Sequence, residues 1–158
     1  LHTLFPYTTL FRSYVKYAQK VFEAFGDKVK QWYTFNEPIV VQTRVYLDAI
    51  RFPFKQDTKI WMQWNYNKAL ATAKAIAVFR KGKYGQKIGS KIGVILNPEV
   101  TYPRSSAPHD LKAAEMYDLF FNKMFLDPSI KGEFPQQLFD ILKEKNCMFD
   151  YKIGRAHV

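Results

Sequence analysis

The sequence predicts an α/β fold, and three observations carry that expectation. Two short runs rich in β-branched and aromatic residues, at 31–36 and 91–97, read as strands. Around and between them, apolar residues recur at helical spacing. Glycine or proline breaks separate the helical stretches from the strands. The resulting order is α-β-α-β-α, one partial domain without internal repeats or low-complexity segments.

The elements follow in turn. Tyr14, Ala18, Val21, Phe22 and Phe25 fall on one helical face, and Gly26 is placed to stop that helix. The strand at Gln31–Asn36 ends at Pro38, which cannot donate to a ladder. An irregular connection is expected from there to about residue 58, with Phe52-Pro53-Phe54 breaking any helix. A long helix follows at 59–80, its buried stripe formed by Met62, Tyr66, Ala69, Leu70, Ala73, Ile76 and Ala77. The connection Lys81 to Ser90 is glycine-rich but has no phosphate-binding pattern, so it reads as a helix-to-strand loop. After the second strand, 111–126 is expected to be helical. Its inward positions would be Ala113, Met116, Tyr117, Phe120, Phe121 and Met124, with Asp127-Pro128 closing it. A last helix at 135–145 presents Leu138, Phe139 and Leu142 on one side.

The chemistry-bearing group is Thr34-Phe35-Asn36-Glu37-Pro38. An amide and a carboxyl sit together at the C-terminal lip of a strand, where α/β enzymes tend to hold their reactive groups. A carboxylic acid beside a hydrogen-bonding amide suits proton transfer to the leaving oxygen of a sugar. Asn97 ends the second strand as Asn36 ends the first, and is either a pocket-lining amide or a plain strand cap. Glu99 is the only carboxylate at the lip of the second strand and is read as a loop residue.

Phe25-Gly26-Asp27-Lys28-Val29-Lys30, Trp32, and then Thr34 to Pro38 resemble glycoside hydrolase family 1. Lys91 to Asn97, Tyr102-Pro103, Ala113-Ala114-Glu115, Phe125 to Pro128 and Gly132 to Pro135 follow in family order. The likeness runs from about Tyr14 to about Tyr151. It implies an eight-stranded (β/α) TIM barrel, which typically needs roughly 250 residues. A chain of 158 residues would be a partial (β/α)8 barrel, about strands 4 and 5 with flanking helices.

The resemblance implies that Glu37 is the acid/base of a retaining β-glycosidase and that Asn36 binds the sugar's 2-hydroxyl. It implies no cofactor and no metal, and as partner a β-glycoside or phospho-β-glycoside substrate. The family's nucleophile lies in a Thr-Glu-Asn-Gly-type motif that this chain does not contain, so the chain itself is expected to be inactive. Tyr33, Ile39-Val40-Val41 and Tyr102-Pro103-Arg104 lean towards a 6-phospho-β-glucosidase over a β-glucosidase. Val45-Tyr46 departs from the family's usual Gly-Tyr pair, which implies a differently shaped loop near the aglycone side. The alternative is a basic, non-catalytic binding module carrying an inherited Asn-Glu-Pro.

The formal charge is +10, with most of the excess between residues 48 and 95. Without a nucleic-acid motif, those lysines read as a solvated outer helix face, Lys68 among them, and nucleic acid is not an expected partner. Cys147 is alone and reads as a packed thiol; a single thiol fits a reducing cytosol. No stretch reaches about 18 uninterrupted apolar residues, so no membrane helix is expected, and the location leans to the cytoplasm.

The two ends read differently from the rest. Residues 1–13, which hold Thr3 to Ser13, and residues 153–158, Ile-Gly-Arg-Ala-His-Val, resemble reading-frame translations of DNA sequencing adapters. They are set aside from the barrel segment at 14–152.

Overall fold

The computed structural model describes residues 7–149. The string at 153–158, residues 1–6 of the first string and the last three residues of the expected barrel segment lie outside the described residues. Helix α1 spans Tyr7–Phe25 and so begins seven residues ahead of the periodic stripe. Its inward face is Ala18 and Phe22, with Tyr14 half-buried. Phe25, expected on that stripe, is exposed because it falls in the last turn. Gly26 stops the helix by donating to the Phe22 carbonyl at 2.8 Å. A Cβ there would meet that same oxygen at 2.5 Å, so only glycine fits without a shift.

Strand β1 (Gln31–Asn36) occupies the expected residues. Strand β2 is Lys91–Ile95, two residues shorter than expected, because Leu96 and Asn97 leave the ladder before Pro98. Among the described residues these two strands form a parallel pair, with Gln31 opposite Lys91, Trp32 opposite Ile92 and Tyr33 opposite Gly93. The register then shifts: Asn36 faces Ile95, so β1 carries one extra residue between Tyr33 and Asn36. Parallel strands need a long crossover, supplied here by helix α3 (Thr58–Lys81).

The stretch after Pro38, expected to be irregular to about residue 58, is helical in its first half. Helix α2 (Pro38–Gln42) runs on into a π-helical turn at Thr43–Leu47. Pro38 stands at the first helical position, where a missing N–H costs nothing and the fixed φ suits a helix start. Residues 48–57 are irregular, with a cis peptide between Phe52 and Pro53.

Helix α3 buries two faces rather than one stripe. Trp61, Met62, Tyr66 and Ala69 face one core, while Ala75 and Phe79 face another. Ala77, expected inward, is exposed. The first core gathers Ile39, Leu119, Met124, Phe125, Leu138, Phe139, Leu142 and Phe149 around Trp61 and Met62. The second clamps α1 to α3 through Phe22 and Phe79, with Trp32 edge-on to Phe22 at 5.1 Å. Each large side chain so buried contributes about 1.5–3 kcal/mol.

The expected helix at 111–126 is a longer, compound one. Helix α4 (Pro108–Tyr117) passes through a π-helical segment (Asp118–Lys123) into helix α5 (Met124–Ile130). Pro128 lies inside α5 instead of ending it, and Lys131 closes the turn onto the Asp127 carbonyl. Ala113 is exposed, and Leu119 and Phe125 take the buried positions. Helix α6 (Gln136–Glu144) is as expected, with Leu138, Phe139 and Leu142 inward. Both π-helical turns meet Trp61. Its indole N–H donates to Thr43 Oγ1 at 3.2 Å, and its ring packs on Phe120 and Phe121 at 6.3 and 5.8 Å.

Candidate active site

The extra residue in β1 decides which way the site faces. Trp32 and Thr34 point to the helices: Thr34 Oγ1 lies 3.1 Å from Thr72 Oγ1 of α3 and donates to the Gly93 carbonyl at 3.2 Å. Phe35 also faces the helices, stacked on Tyr14 with ring centroids 4.8 Å apart. Strict alternation would put Asn36 on that side with Trp32 and Thr34. The bulge returns Asn36 to the open face of the sheet, the face of Tyr33. Tyr14 locks the bulge by donating its hydroxyl to the Thr34 carbonyl at 2.7 Å, and burial pushes that phenol up to about 12, helped by Tyr17 nearby.

Glu37 follows in a left-handed conformation, with φ 44° and ψ 59°. A non-glycine residue there carries a cost of roughly 1–2 kcal/mol, so neighbouring contacts must hold it. Its N–H donates to the Ile95 carbonyl at 2.9 Å, which ties the ends of β1 and β2 together. The carboxylate does not cap α2, although Glu37 occupies the cap position. Among the described residues it has no hydrogen-bond or ion-pair partner.

Asn97 lies two residues beyond β2, at the same end of the sheet. With Leu96, Pro98 and Phe121 it lines a shallow depression whose other wall is Pro38 and Ile39. The parallel pairing thus brings Asn36, Glu37 and Asn97 to one edge. Glu99 is engaged elsewhere: its carboxylate accepts from the Tyr117 hydroxyl at 2.6 Å, and Asn122 brackets its backbone at 3.0 and 2.7 Å. The connections leaving this edge carry exposed aromatics, Phe52 (82%), Phe54 (67%) and Tyr102 (81%). Phe52 and Phe54 stand edge-to-face at 6.5 Å. Among the described residues no three of His, Cys, Asp and Glu gather into a metal-binding group, and no helix is long and apolar enough to cross a membrane.

Lys68 was expected on a solvated face and is instead half-buried beneath the β1 end. Its Nζ donates to the Pro38 carbonyl at 2.7 Å and to Gln42 Oε1, and lies 6.0 Å from the Phe35 ring centre. The signal for this was in the spacing, since Asn65, Lys68, Thr72 and Ala75 recur on one side of α3.

Comparison with known proteins agrees with this geometry. A family model, glycosyl hydrolase family 1, matches residues 5–155. The 6-phospho-beta-glucosidase GmuD of Bacillus subtilis is 48% identical over 139 residues, covering 88% of this chain and 29% of the relative. Beta-glucosidase A of Acetivibrio thermocellus is 31% identical over 138 residues, covering 87% of this chain and 30% of the relative. Among solved structures, the psychrophilic beta-glucosidase BglU of Micrococcus antarcticus superposes with a TM-score of 0.78 at 28% identity. It covers 92% of this chain and 30% of that one. The family 1 beta-glucosidase of Thermotoga maritima superposes at 0.73 with 29% identity, over 85% of this chain and 30% of its own. The chain therefore spans under a third of the length of these relatives, and its two parallel strands and helices are part of a (β/α)8 barrel. A family match across almost every residue, with the Asn-Glu-Pro turn at the lip of a barrel strand, establishes that the chain belongs to glycosyl hydrolase family 1.

Proposed function

We propose that this chain is an internal part of a retaining β-glycosidase, with Glu37 as the general acid and base of the reaction. The supporting observation is the Glu37 turn: a carboxylate on a strand lip, its backbone pinned to Ile95, its oxygens unspent on any described partner. In the first step Glu37 protonates the glycosidic oxygen as a second carboxylate, about 5–5.5 Å away, attacks the anomeric carbon. In the second step Glu37, now ionised, takes a proton from the incoming water. Asn36, on the open face beside it, donates to the sugar's 2-hydroxyl, and Asn97 lines the same edge. The nucleophile belongs to a part of the barrel that this sequence does not contain.

The substrate class is a β-glucoside or its 6-phosphate. The 48% identity to a 6-phospho-beta-glucosidase, against 31% to a beta-glucosidase, supports the phosphorylated form, and with it a cytoplasmic setting. The barrel segment is taken as 14–152, which lies within the residues 5–155 matched by the family model. The strings on either side are adapter-derived, and reading the genomic locus across both junctions tests that: native codons continuing the same sequence would refute it.

The experiment restores the barrel. Residues 14–149 replace the matching segment of the Bacillus subtilis relative, which supplies the nucleophile. Glu37→Gln in that graft is expected to lower kcat for an alkyl β-glucoside 6-phosphate by about 10²–10⁴. Formation of the glycosyl intermediate from a dinitrophenyl glycoside, whose leaving group needs no proton, should persist. Undiminished hydrolysis of the alkyl substrate would remove Glu37 from the role. The 158-residue chain by itself is expected to cleave neither nitrophenyl β-glucoside nor its 6-phosphate.

A further inference from the structure

Lys68 sits at the β1 edge, yet catalysis as written does not use it. Its ammonium makes no ion pair among the described residues. An apolar side chain would fill a half-buried place on α3 at less desolvation cost. What the ammonium gains instead are contacts with the residues that bracket the Asn36-Glu37 pair. Phe35, before the pair, offers its ring face; Pro38, after it, offers its carbonyl at 2.7 Å; Gln42, one turn on, offers its side-chain oxygen. Burial pushes the Lys68 pKa down to about 8, which marks how far the group has been drawn out of water.

The backbone explains what such a grip achieves. Glu37 is anchored on its N-terminal side by its own N–H on Ile95. Lys68 anchors the next residue, Pro38. Between these two holds lies a non-glycine residue at φ 44°, a conformation that persists only when its surroundings over-determine it. We propose that Lys68 is a positioning residue for Glu37, holding the Pro38 carbonyl so that the left-handed turn keeps the carboxyl aimed at the leaving-group oxygen. This rests on the reading of Glu37 as the acid.

Two measurements test it. In the 158-residue chain, Lys68→Met is expected to speed hydrogen exchange of the Glu37 and Val40 amides about tenfold, leaving the amides of Trp32 and Tyr33 unchanged. Lys68→Arg should restore part of the protection, and Lys74→Met, on the exposed side of α3, should change nothing. Unaltered Glu37 exchange, or an equal acceleration along the whole chain, overturns the proposal. If the chain alone proves too insoluble to measure, the grafted barrel decides. There Lys68→Met should slow formation of the glycosyl intermediate about tenfold for the alkyl substrate and less than twofold for the dinitrophenyl one, with the alkyl KM within about twofold, because only the first leaving group needs a well-aimed proton. Equal losses on both leaving groups mean a merely structural lysine. Glu37→Gln separates the two ideas: full alkyl activity in that variant sinks the acid assignment itself. A dead Glu37→Gln beside a Lys68→Met with equal losses, or none, sinks only the role of Lys68.

Discussion

At the scale of single residues, Lys68 also links the site to pH. Burial brings its pKa in the folded chain down from the ordinary 10.5 to about 8. Between those values the unfolded chain holds a proton that the folded chain has released, so stability rises as pH climbs from about 8 to about 10.5. Below about 8 both states are charged, and the folded state carries the desolvation cost in full. Lys68→Met abolishes this titration. Its stability relative to the parent chain should therefore be most favourable near pH 7 and decline towards pH 10.5, as urea unfolding at the two pH values would measure. A difference that ignores pH would contradict the burial of the ammonium. The same substitution is thus expected to favour the fold and harm the turn, as happens where a site is held at some expense of stability. Glu37 was legible in sequence from its neighbours and its place before Pro38. Lys68 is legible only in part: its spacing with Asn65, Thr72 and Ala75 puts it on one side of α3, but only packing tells that this side is drawn inward.

At the scale of elements, α3 connects the two strands and begins at a cap that the structure makes visible. Asp57 Oδ1 accepts from the Ile60 N–H at 3.0 Å, and that hydrogen bond, with Lys55 beside it, holds the Asp57 pKa below the usual carboxylate range. A lowered folded pKa contributes stability that is present above the unfolded pKa and lost as pH falls through the folded one. Asp57→Ala should therefore cost about 1 kcal/mol at pH 7 and markedly less at pH 2, read as the shift in denaturation midpoint. A cost equal at both pH values would mean that the ionised cap is not what matters. Helix α6 and strand β1 were legible almost to the residue, since each has one apolar side and clear ends. Helix α2 is not legible in the sequence because Pro38 there reads as a strand breaker, although proline also starts helices. Pro128 misled in the opposite sense. Leu119 and Phe125 were missed because the π-helical turn at Asp118–Lys123 changes the angular spacing on which a stripe is counted.

At the scale of the molecule, two neighbouring strands of a closed barrel stand, among the described residues, with their outer edges unpaired. Tyr33 (56%) and Ile95 (39%) face solvent on the side that a complete barrel would fill with packed side chains. Unpaired parallel edges are templates for pairing with other chains. The 158-residue chain is accordingly expected to self-associate with rising concentration in sedimentation experiments, and a monomer with one cooperative thermal transition would refute that. The α/β class, the two strands, the family likeness and the carboxyl at the first strand's lip follow from local periodicity and from residues adjacent in the chain. Packing at a distance sets the rest: an extra residue in β1 turns Asn36 to the open face, Ile95 fastens the left-handed Glu37, and Lys68 reaches in beneath Pro38. These depend on contacts between residues 30 to 59 positions apart, where the pairing of strands and the packing of a helix, rather than any local preference, set the outcome.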